Sequence, residues 1–249
     1  MKKVLLTSLL LMSPLFLEAR TNKVVVAVID TGLDRKLMDK SFLCPTGHKD
    51  FSDTGLNDTN GHGTHISGLI DQYAKSMLAH KLSDFKAIDS AKSNYCQIII
   101  KCYDPTGVKD NLKSTIESFR WAIDQKVDII NYSGGGKSFS KEEKAIVVEA
   151  LNKGIIVVAA AGNNHTNLSK AGYYPASYDK RVVVVGNLID SKSRMISDTS
   201  NYGSPVNTWE TGTDILSRLP NNDFGALSGT SQATAIKSGK LIKELMSKP

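Results

Sequence analysis

Three side chains in this sequence could together make a serine nucleophilic enough for acyl transfer. Asp30 directly follows an apolar run, His62 stands in the segment Gly-His-Gly-Thr-His, and Ser231 stands in Gly-Thr-Ser. A serine hydroxyl attacks poorly at neutral pH unless a base takes its proton, and the base needs an acid that orients it and stabilises its charged form. These three residues therefore predict a catalytic triad.

A carbonyl group under attack also needs hydrogen-bond donors for its developing negative charge. Asn163, in the segment Ala-Ala-Gly-Asn, can donate from its side-chain amide, and the backbone N–H of Ser231 can supply a second donor. Ser133, Gly134 and Gly135 carry little side chain, so their backbone is suited to pair with an extended peptide. These residues indicate a peptide as the substrate.

The elements that must position these residues alternate between strands and helices. Apolar runs without polar alternation predict buried parallel strands, and apolar residues at helical spacing predict helices between them. Residues 74–94 are polar, and we predict an irregular segment there. We predict strands at residues 24–29, 95–103, 127–132, 155–161, 182–185 and 215–217. We predict one helix that begins near His62 and three more at residues 111–125, 141–153 and 230–246.

This alternation predicts the fold class. Because crossover lengths separate neighbouring strands, we expect a three-layer α/β domain with a mostly parallel sheet and helices on both faces. Asp30 ends one strand, at the edge where open α/β sheets place their ligands. No repeat or linker interrupts the sequence, so we expect one domain over residues 20–249.

The charge of the chain is modest and spread along its length. Lysine and arginine number 31 against 25 aspartates and glutamates, which gives a formal net charge of +6, and no basic block occurs. Nucleic-acid binding needs clustered basic residues, so we expect a solvated basic surface and no nucleic-acid partner. We also expect a monomer.

The N-terminus has the pattern of a secretory signal peptide. Two lysines after Met1 precede an apolar segment at residues 4–17, and Ala19 can precede a cleavage site. A membrane anchor is the alternative, but the apolar run is short of a full span and Pro14 interrupts it. We predict a signal peptide at residues 1–19, a secreted or periplasmic location, and no membrane association after cleavage.

A zinc site is an alternative interpretation of the histidines. His62 and His65 are three residues apart, whereas the metalloprotease helix needs histidines four apart with a glutamate beside the first. Gly63 occupies the place of that glutamate. We therefore expect no zinc site and a structural role for His65.

The three cysteines leave at least one thiol unpaired. Cys96 and Cys102 flank the apolar run at residues 97–101, and if this run is a strand, six residue steps of about 3.3 Å place them beyond disulfide reach. In an oxidising compartment, Cys44 can bridge to one of them, and three buried or free thiols are the alternative. The sequence leaves both arrangements open.

Three motifs stand in a fixed order along the chain: Val-Ala-Val-Ile-Asp-Thr-Gly, Gly-His-Gly-Thr-His-Ile-Ser-Gly and Gly-Thr-Ser-Gln-Ala-Thr-Ala. With them, the sequence resembles the subtilisin-type serine proteases over about residues 24–239. The resemblance implies that Ser231 is the nucleophile, His62 the general base and acid, and Asp30 the residue that orients His62. Asn163 would be the oxyanion donor, and the walls of the main specificity pocket would be Ser133, Gly134 and Gly135 with Ala160, Ala161 and Gly162.

The resemblance also implies a subtilisin-like fold, a protein or peptide substrate, an acyl-enzyme intermediate and no cofactor for the chemistry. Calcium commonly stabilises related proteases, so a structural calcium ion stays open. The acidic loop with Asp50, Asp53 and Asp58 offers no complete ligand set, and we predict that this loop is solvated.

The sequence departs from the family pattern at several positions. Gln232 stands where many members have methionine, Ala235 stands where proline is usual, and residues 210–212 differ from the usual Ala-Pro-Gly. Members usually carry a propeptide, whereas Val24 follows the predicted signal almost at once, so we expect none. We predict a divergent, minimal member that keeps every catalytic group.

Three functions are compatible with these features. The first is an active secreted serine endopeptidase. The second is a catalytically weak binding or regulatory protein on the same fold, which the expected lack of a propeptide favours. The third is another acyl hydrolase, such as an esterase or a peptide ligase, although the glycines at 134 and 135 favour peptides.

Overall fold

The structure is a computed structural model that describes residues 23–81, 83–92, 94–103, 110–190 and 192–247. The predicted signal peptide at residues 1–19 lies outside these described residues. In the described part of the chain, no helix is both long and apolar enough to span a membrane.

An eight-stranded sheet forms the centre of the fold. Its strands and those of a separate hairpin are β1 (Val24–Asp30), β2 (Lys49–Asp50), β3 (Tyr95–Lys101), β4 (Ile129–Tyr132), β5 (Ile156–Ala160), β6 (Val183–Asp190), β7 (Met195–Ile196), β8 (Thr208–Thr211), β9 (Ile215–Leu219) and β10 (Asp223–Leu227). The order across the sheet is β2-β3-β1-β4-β5-β6-β7, with β8 also beside β6. All its pairings are parallel except that of β6 with β7. Strands β9 and β10 form an antiparallel pair.

Helices cover both faces of the sheet. Among the described residues, the α-helices are α1 (His62–Ala74), α2 (Asp84–Ser90), α3 (Asn111–Asp124), α4 (Lys141–Asn152) and α5 (Thr230–Met246). Helices α3 and α4 contact each other on one face, and α1 and α5 contact each other on the opposite face. The predicted three-layer α/β fold is confirmed.

Strand β1 shows why the sheet is covered on both faces. Its side chains alternate between two core clusters: Ala27 and Ile29 lie in one, and Val26 and Val28 lie in the other. All four are almost completely buried. An uninterrupted apolar strand is stable only in the centre of such a sheet. Asp30, the last residue of β1, therefore lies at the carboxyl edge of the sheet.

One local prediction was wrong, and a second was incomplete. Residues 74–94 are not wholly irregular, because α2 forms there and buries Phe85 and Ile88. The strand predicted at residues 215–217 is longer, and it pairs with β10, which the sequence pattern did not reveal. A two-stranded hairpin with few fully buried residues gives little hydrophobic alternation to recognise.

Of the two arrangements that the sequence left open for the cysteines, the structure contains the one with a disulfide. Cys44 and Cys96 form a disulfide, with their Cα atoms 4.9 Å apart. Cys102 keeps a free, buried thiol. Cys96 lies near the start of the extended strand β3 and Cys102 directly follows its end, so these two are not joined, as predicted.

Candidate active site

Asp30 and His62 meet at the carboxyl edge of the sheet. Asp30 is the last residue of β1, and His62 is the first residue of α1, after Gly61 with a φ of 98°. The Nδ1 atom of His62 lies 2.7 Å from Oδ1 of Asp30. Burial opposes the charged imidazolium form of His62 and would lower its pKa. The negative charge of Asp30 and its hydrogen bond to His62 outweigh this effect, and the charge of Asp58 adds to them. The pKa of His62 is therefore raised above 6.5.

Asp58 holds this pair in place. Its carboxylate is buried and accepts the hydroxyl of Thr31 at 2.9 Å, which fixes the residue after Asp30. It also accepts the backbone N–H groups of Gly61 and Thr64, both at 2.8 Å, in the first turn of α1. The acidic loop is therefore not simply solvated, because the orphan N–H groups of a helix start need a buried acceptor.

Ser231 lies in the first turn of α5 and is bonded to Ser133. Its Oγ donates to the carbonyl oxygen of Ser133 at 2.8 Å, and Oγ of Ser133 donates to the carbonyl oxygen of Ser231 at 3.1 Å. Among the hydrogen bonds of the described residues, none joins Ser231 to His62. The Ser231 hydroxyl is thus directed to the Ser133 carbonyl oxygen.

Asn163 is anchored through one end of its amide. Its Oδ1 accepts both the backbone N–H and the hydroxyl of Thr230, each at 3.0 Å. The side chain is exposed, and the anchored oxygen leaves Nδ2 as the free donor. Asn163 thus lies beside the start of α5 with an N–H group available for a ligand.

A cleft of about 390 Å³ runs along the edge of the sheet. Asp30 and His62 line one side of it, and Ser133, Gly134 and Gly135 line another. The latter segment follows β4, the strand next to β1. The cleft thus brings Asp30 and His62 together with the segment from Ser133 to Gly135.

The second predicted wall, Ala160 to Gly162, lies at the end of β5. Ala160 is the last residue of β5, and both it and Ala161 are buried. The carbonyl oxygen of Ala161 already accepts Nδ2 of Asn201 at 2.7 Å. Gly162 donates its N–H to Oγ1 of Thr230 at 3.1 Å and leads into Asn163. The role of residues 160–162 as a pocket wall stays a prediction.

The structure gives His65 a structural setting. It is fully buried in α1, and its Nε2 lies 3.1 Å from the carbonyl oxygen of Gly225. Burial lowers the pKa of His65 to about 4. Within the residues that the structure describes, no group of three or more His, Cys, Asp or Glu side chains is arranged to hold a metal ion.

The positions of three residues in this region were not predicted from the sequence. Asp58 was grouped with solvated acids, and because the N-cap of α1 is Gly61, no capping pattern marks Asp58 in the sequence. Thr230 anchors Asn163 from the far end of the chain. Tyr173 packs against Gly135 and Gly162. The last two contacts are long-range, and no local pattern indicates them.

Comparison with known proteins assigns the chain to a family. The subtilase family model matches residues 21–244. The chain is 34% identical over 225 residues to the major intracellular serine protease of Bacillus subtilis (strain 168), covering 87% of this chain and 66% of the relative. It is 33% identical over 219 residues to subtilisin E of the same organism, covering 88% and 54%. The chain thus spans between about half and two thirds of the length of these relatives.

Solved structures agree on the fold. A cold-adapted subtilisin-like serine proteinase superposes with a TM-score of 0.65 at 24% identity, covering 88% of this chain and 74% of that one. A lanthipeptide protease superposes with a TM-score of 0.70 at 22% identity, covering 87% and 71%. The fold is that of the subtilisin-like α/β proteins, and the chain belongs to the subtilase family.

Proposed function

We propose that this protein is a serine endopeptidase that cleaves peptide bonds through an acyl-enzyme. The observation that carries the proposal is the hydrogen bond between Asp30 and His62, in the same cleft as the segment from Ser133 to Gly135. Membership in the subtilase family supports the same reading, because the matched relatives are named as serine proteases.

In the proposed mechanism, His62 accepts the proton of the Ser231 hydroxyl as Oγ attacks the substrate carbonyl carbon. Asp30 keeps Nδ1 of His62 protonated, so that Nε2 is the basic nitrogen. His62 then donates the proton to the leaving amine. A water molecule, activated by the same histidine, hydrolyses the ester on Ser231 and restores the enzyme.

The tetrahedral intermediates carry a negative charge on the former carbonyl oxygen. Nδ2 of Asn163 and the backbone N–H of Ser231 are the proposed donors to this oxygen. The hydrogen bonds from Thr230 to Oδ1 of Asn163 support this assignment, because they fix the amide before the substrate arrives. A donor that is already oriented stabilises the intermediate without a reorganisation cost.

The proposed substrate is an extended protein or peptide segment that pairs with the backbone of Ser133, Gly134 and Gly135. We also propose that the protein acts outside the cytoplasm. The signal-like N-terminus and the disulfide between Cys44 and Cys96 support this location, since structural disulfides persist in oxidising compartments. A stabilising calcium ion stays a prediction, and thermal melting with and without a chelator tests it.

Peptide-library cleavage by the purified protein, alongside matched ester substrates, tests the proposed function. We expect internal cleavage of peptides by the wild type and none by S231A, whose fold is checked by circular dichroism. Cleavage of esters alone would indicate a different acyl hydrolase. Specific peptide binding that survives in S231A, with no cleavage by the wild type, would indicate a binding or regulatory protein.

A further inference from the structure

We infer that Tyr173 fills the main specificity pocket, so that the enzyme cleaves after small residues such as glycine, alanine and serine. The inference rests on the proposed function and names the substrate class of the same site. It concerns the substrate residue that contributes the carbonyl group of the scissile bond, which we call the acyl-side residue.

The position of this pocket follows from the proposed chemistry. The carbonyl oxygen of the acyl-side residue must reach Asn163, while its backbone runs beside Ser133. Its side chain then points between the backbone just before Asn163 and the backbone just after Ser133. Gly162 and Gly135 stand at these two places.

The ring of Tyr173 occupies the space between these glycines. A Cβ atom built on Gly135 would lie 2.5 Å from Cε1 of Tyr173, and one built on Gly162 would lie 2.7 Å from its Cζ. Real Cβ atoms do not approach other atoms so closely, so the ring is packed directly against both backbones. Little room is left there for a substrate side chain.

The backbone around Tyr173 is anchored in this position. Tyr174 and Gly136 exchange two backbone hydrogen bonds, at 2.7 and 2.9 Å, which hold the residue after Tyr173 beside the residue after Gly135. The N–H of Tyr173 donates to Oγ of Ser177 at 3.2 Å, and its carbonyl oxygen accepts the N–H of Ser177 at 2.8 Å. The ring is half-buried and packs against the core cluster that contains Phe119. A substrate side chain would therefore have to displace a packed ring.

A second cavity shows what removal of the ring would open. Tyr173 also lines a cavity of about 230 Å³. Its other lining residues are Lys137, Thr166, Ala171, Gly172 and Asn201. Because the ring borders both this cavity and the two glycines, its removal would join the cavity to the site of the acyl-side residue.

Peptides that differ only in the acyl-side residue test this inference. We expect the wild type to cleave after alanine with a kcat/KM at least about 100-fold higher than after leucine or phenylalanine, because one excess methylene in a closed pocket already gives a 10- to 200-fold difference. The variant Y173G should raise kcat/KM for phenylalanine at least about 30-fold. Y173F keeps the ring and should keep the wild-type order of preference.

Labelling by a fluorophosphonate probe, run on the same samples, separates this inference from the proposed function. A wild type that labels and cleaves equally well after phenylalanine and alanine would overturn the role of Tyr173 alone. So would a folded Y173G that labels but keeps the wild-type preference. A folded wild type that neither labels nor cleaves would overturn the proposed function, and this inference with it. If Y173G does not fold, the wild-type preference decides.

Discussion

Ser231 and Ser133 are joined by two reciprocal hydrogen bonds. The hydroxyl of each donates to the carbonyl oxygen of the other, at 2.8 Å from Ser231 and 3.1 Å from Ser133. If an extended substrate pairs with the Ser133 backbone as proposed, the Ser133 carbonyl oxygen also accepts a backbone N–H of the substrate. Binding of a peptide would then displace the Ser231 hydroxyl from this acceptor and release it towards His62.

Replacement of Asn163 tests the proposed oxyanion site. N163A should lower kcat by about 10²- to 10³-fold with little change in KM, since the removed donor acts mainly on the charged intermediate. Steady-state kinetics on a peptide substrate give both constants. Asn164 is an exposed neighbour of the same type, and N164A should stay within about threefold of the wild type. Equal losses in the two variants would rule out a specific role for Asn163.

The acid limb of the pH–rate profile reports on His62. A general base must be unprotonated, so kcat/KM should fall as the pH drops through the pKa of His62. Because Asp30 and Asp58 raise this pKa, the midpoint for the wild type should lie above 6.5. In D58N the loss of one negative charge should move the midpoint to lower pH.

The exposed Asp124 supplies the control for this measurement. D124N removes the same charge at the end of α3, and its midpoint should equal that of the wild type. A D58N profile that coincides with the wild-type profile, although the variant is folded, would contradict the electrostatic role of Asp58. A loss of stability of roughly 1–3 kcal/mol is also expected for D58N, because buried N–H groups lose their acceptor.

His65 should make the protein less stable in acid. Its pKa is about 4 in the folded state and near 6.5 when unfolded, so the unfolded chain binds more protons between these values. The free energy of unfolding should therefore fall by up to roughly 3 kcal/mol as the pH drops from 6.5 to 4. Urea titrations at several pH values measure it. H65Q lacks the titrating group, and an unchanged pH slope in that variant would refute this assignment.

The disulfide should contribute substantially to stability. It joins residues 52 apart in the sequence, and cross-linking a loop of this length stabilises a protein by about 4 kcal/mol in the chain-entropy estimate. The double variant C44S/C96S should unfold at a correspondingly lower denaturant concentration. Dithiothreitol should lower the melting temperature of the wild type but not that of the double variant. A wild type insensitive to complete reduction would contradict this contribution.

The parts of the fold with strong local patterns were predictable from the sequence. Helix α5 spans Thr230–Met246, as predicted, because apolar residues recur there at helical spacing. The contact between Asp30 and His62 followed from a strand end and a helix start on one edge of the sheet. Strand β6 extends to Asp190, beyond the predicted end, since Gly186 in its middle resembles a break.

The remaining features depend on contacts that no local pattern carries. In the sequence, Asp58 resembles a solvated acid of a loop, and only the fold shows that its carboxylate accepts the hydroxyls of Thr31 and Thr64. The choice of Cys96 as the partner of Cys44 depends on how the loop before β2 meets β3. The ring of Tyr173 meets two glycines that lie 11 and 38 residues away in the printed sequence, and only the folded chain brings them together.

The most direct measurement is the reaction of the purified protein with a fluorophosphonate probe, followed by mass spectrometry of its peptides. We predict that the wild type is labelled at Ser231, and that folded H62A and S231A are not labelled, because the hydroxyl needs its base. A folded wild type that stays unlabelled, or that carries the label on another residue, would contradict the proposed Asp30–His62–Ser231 mechanism.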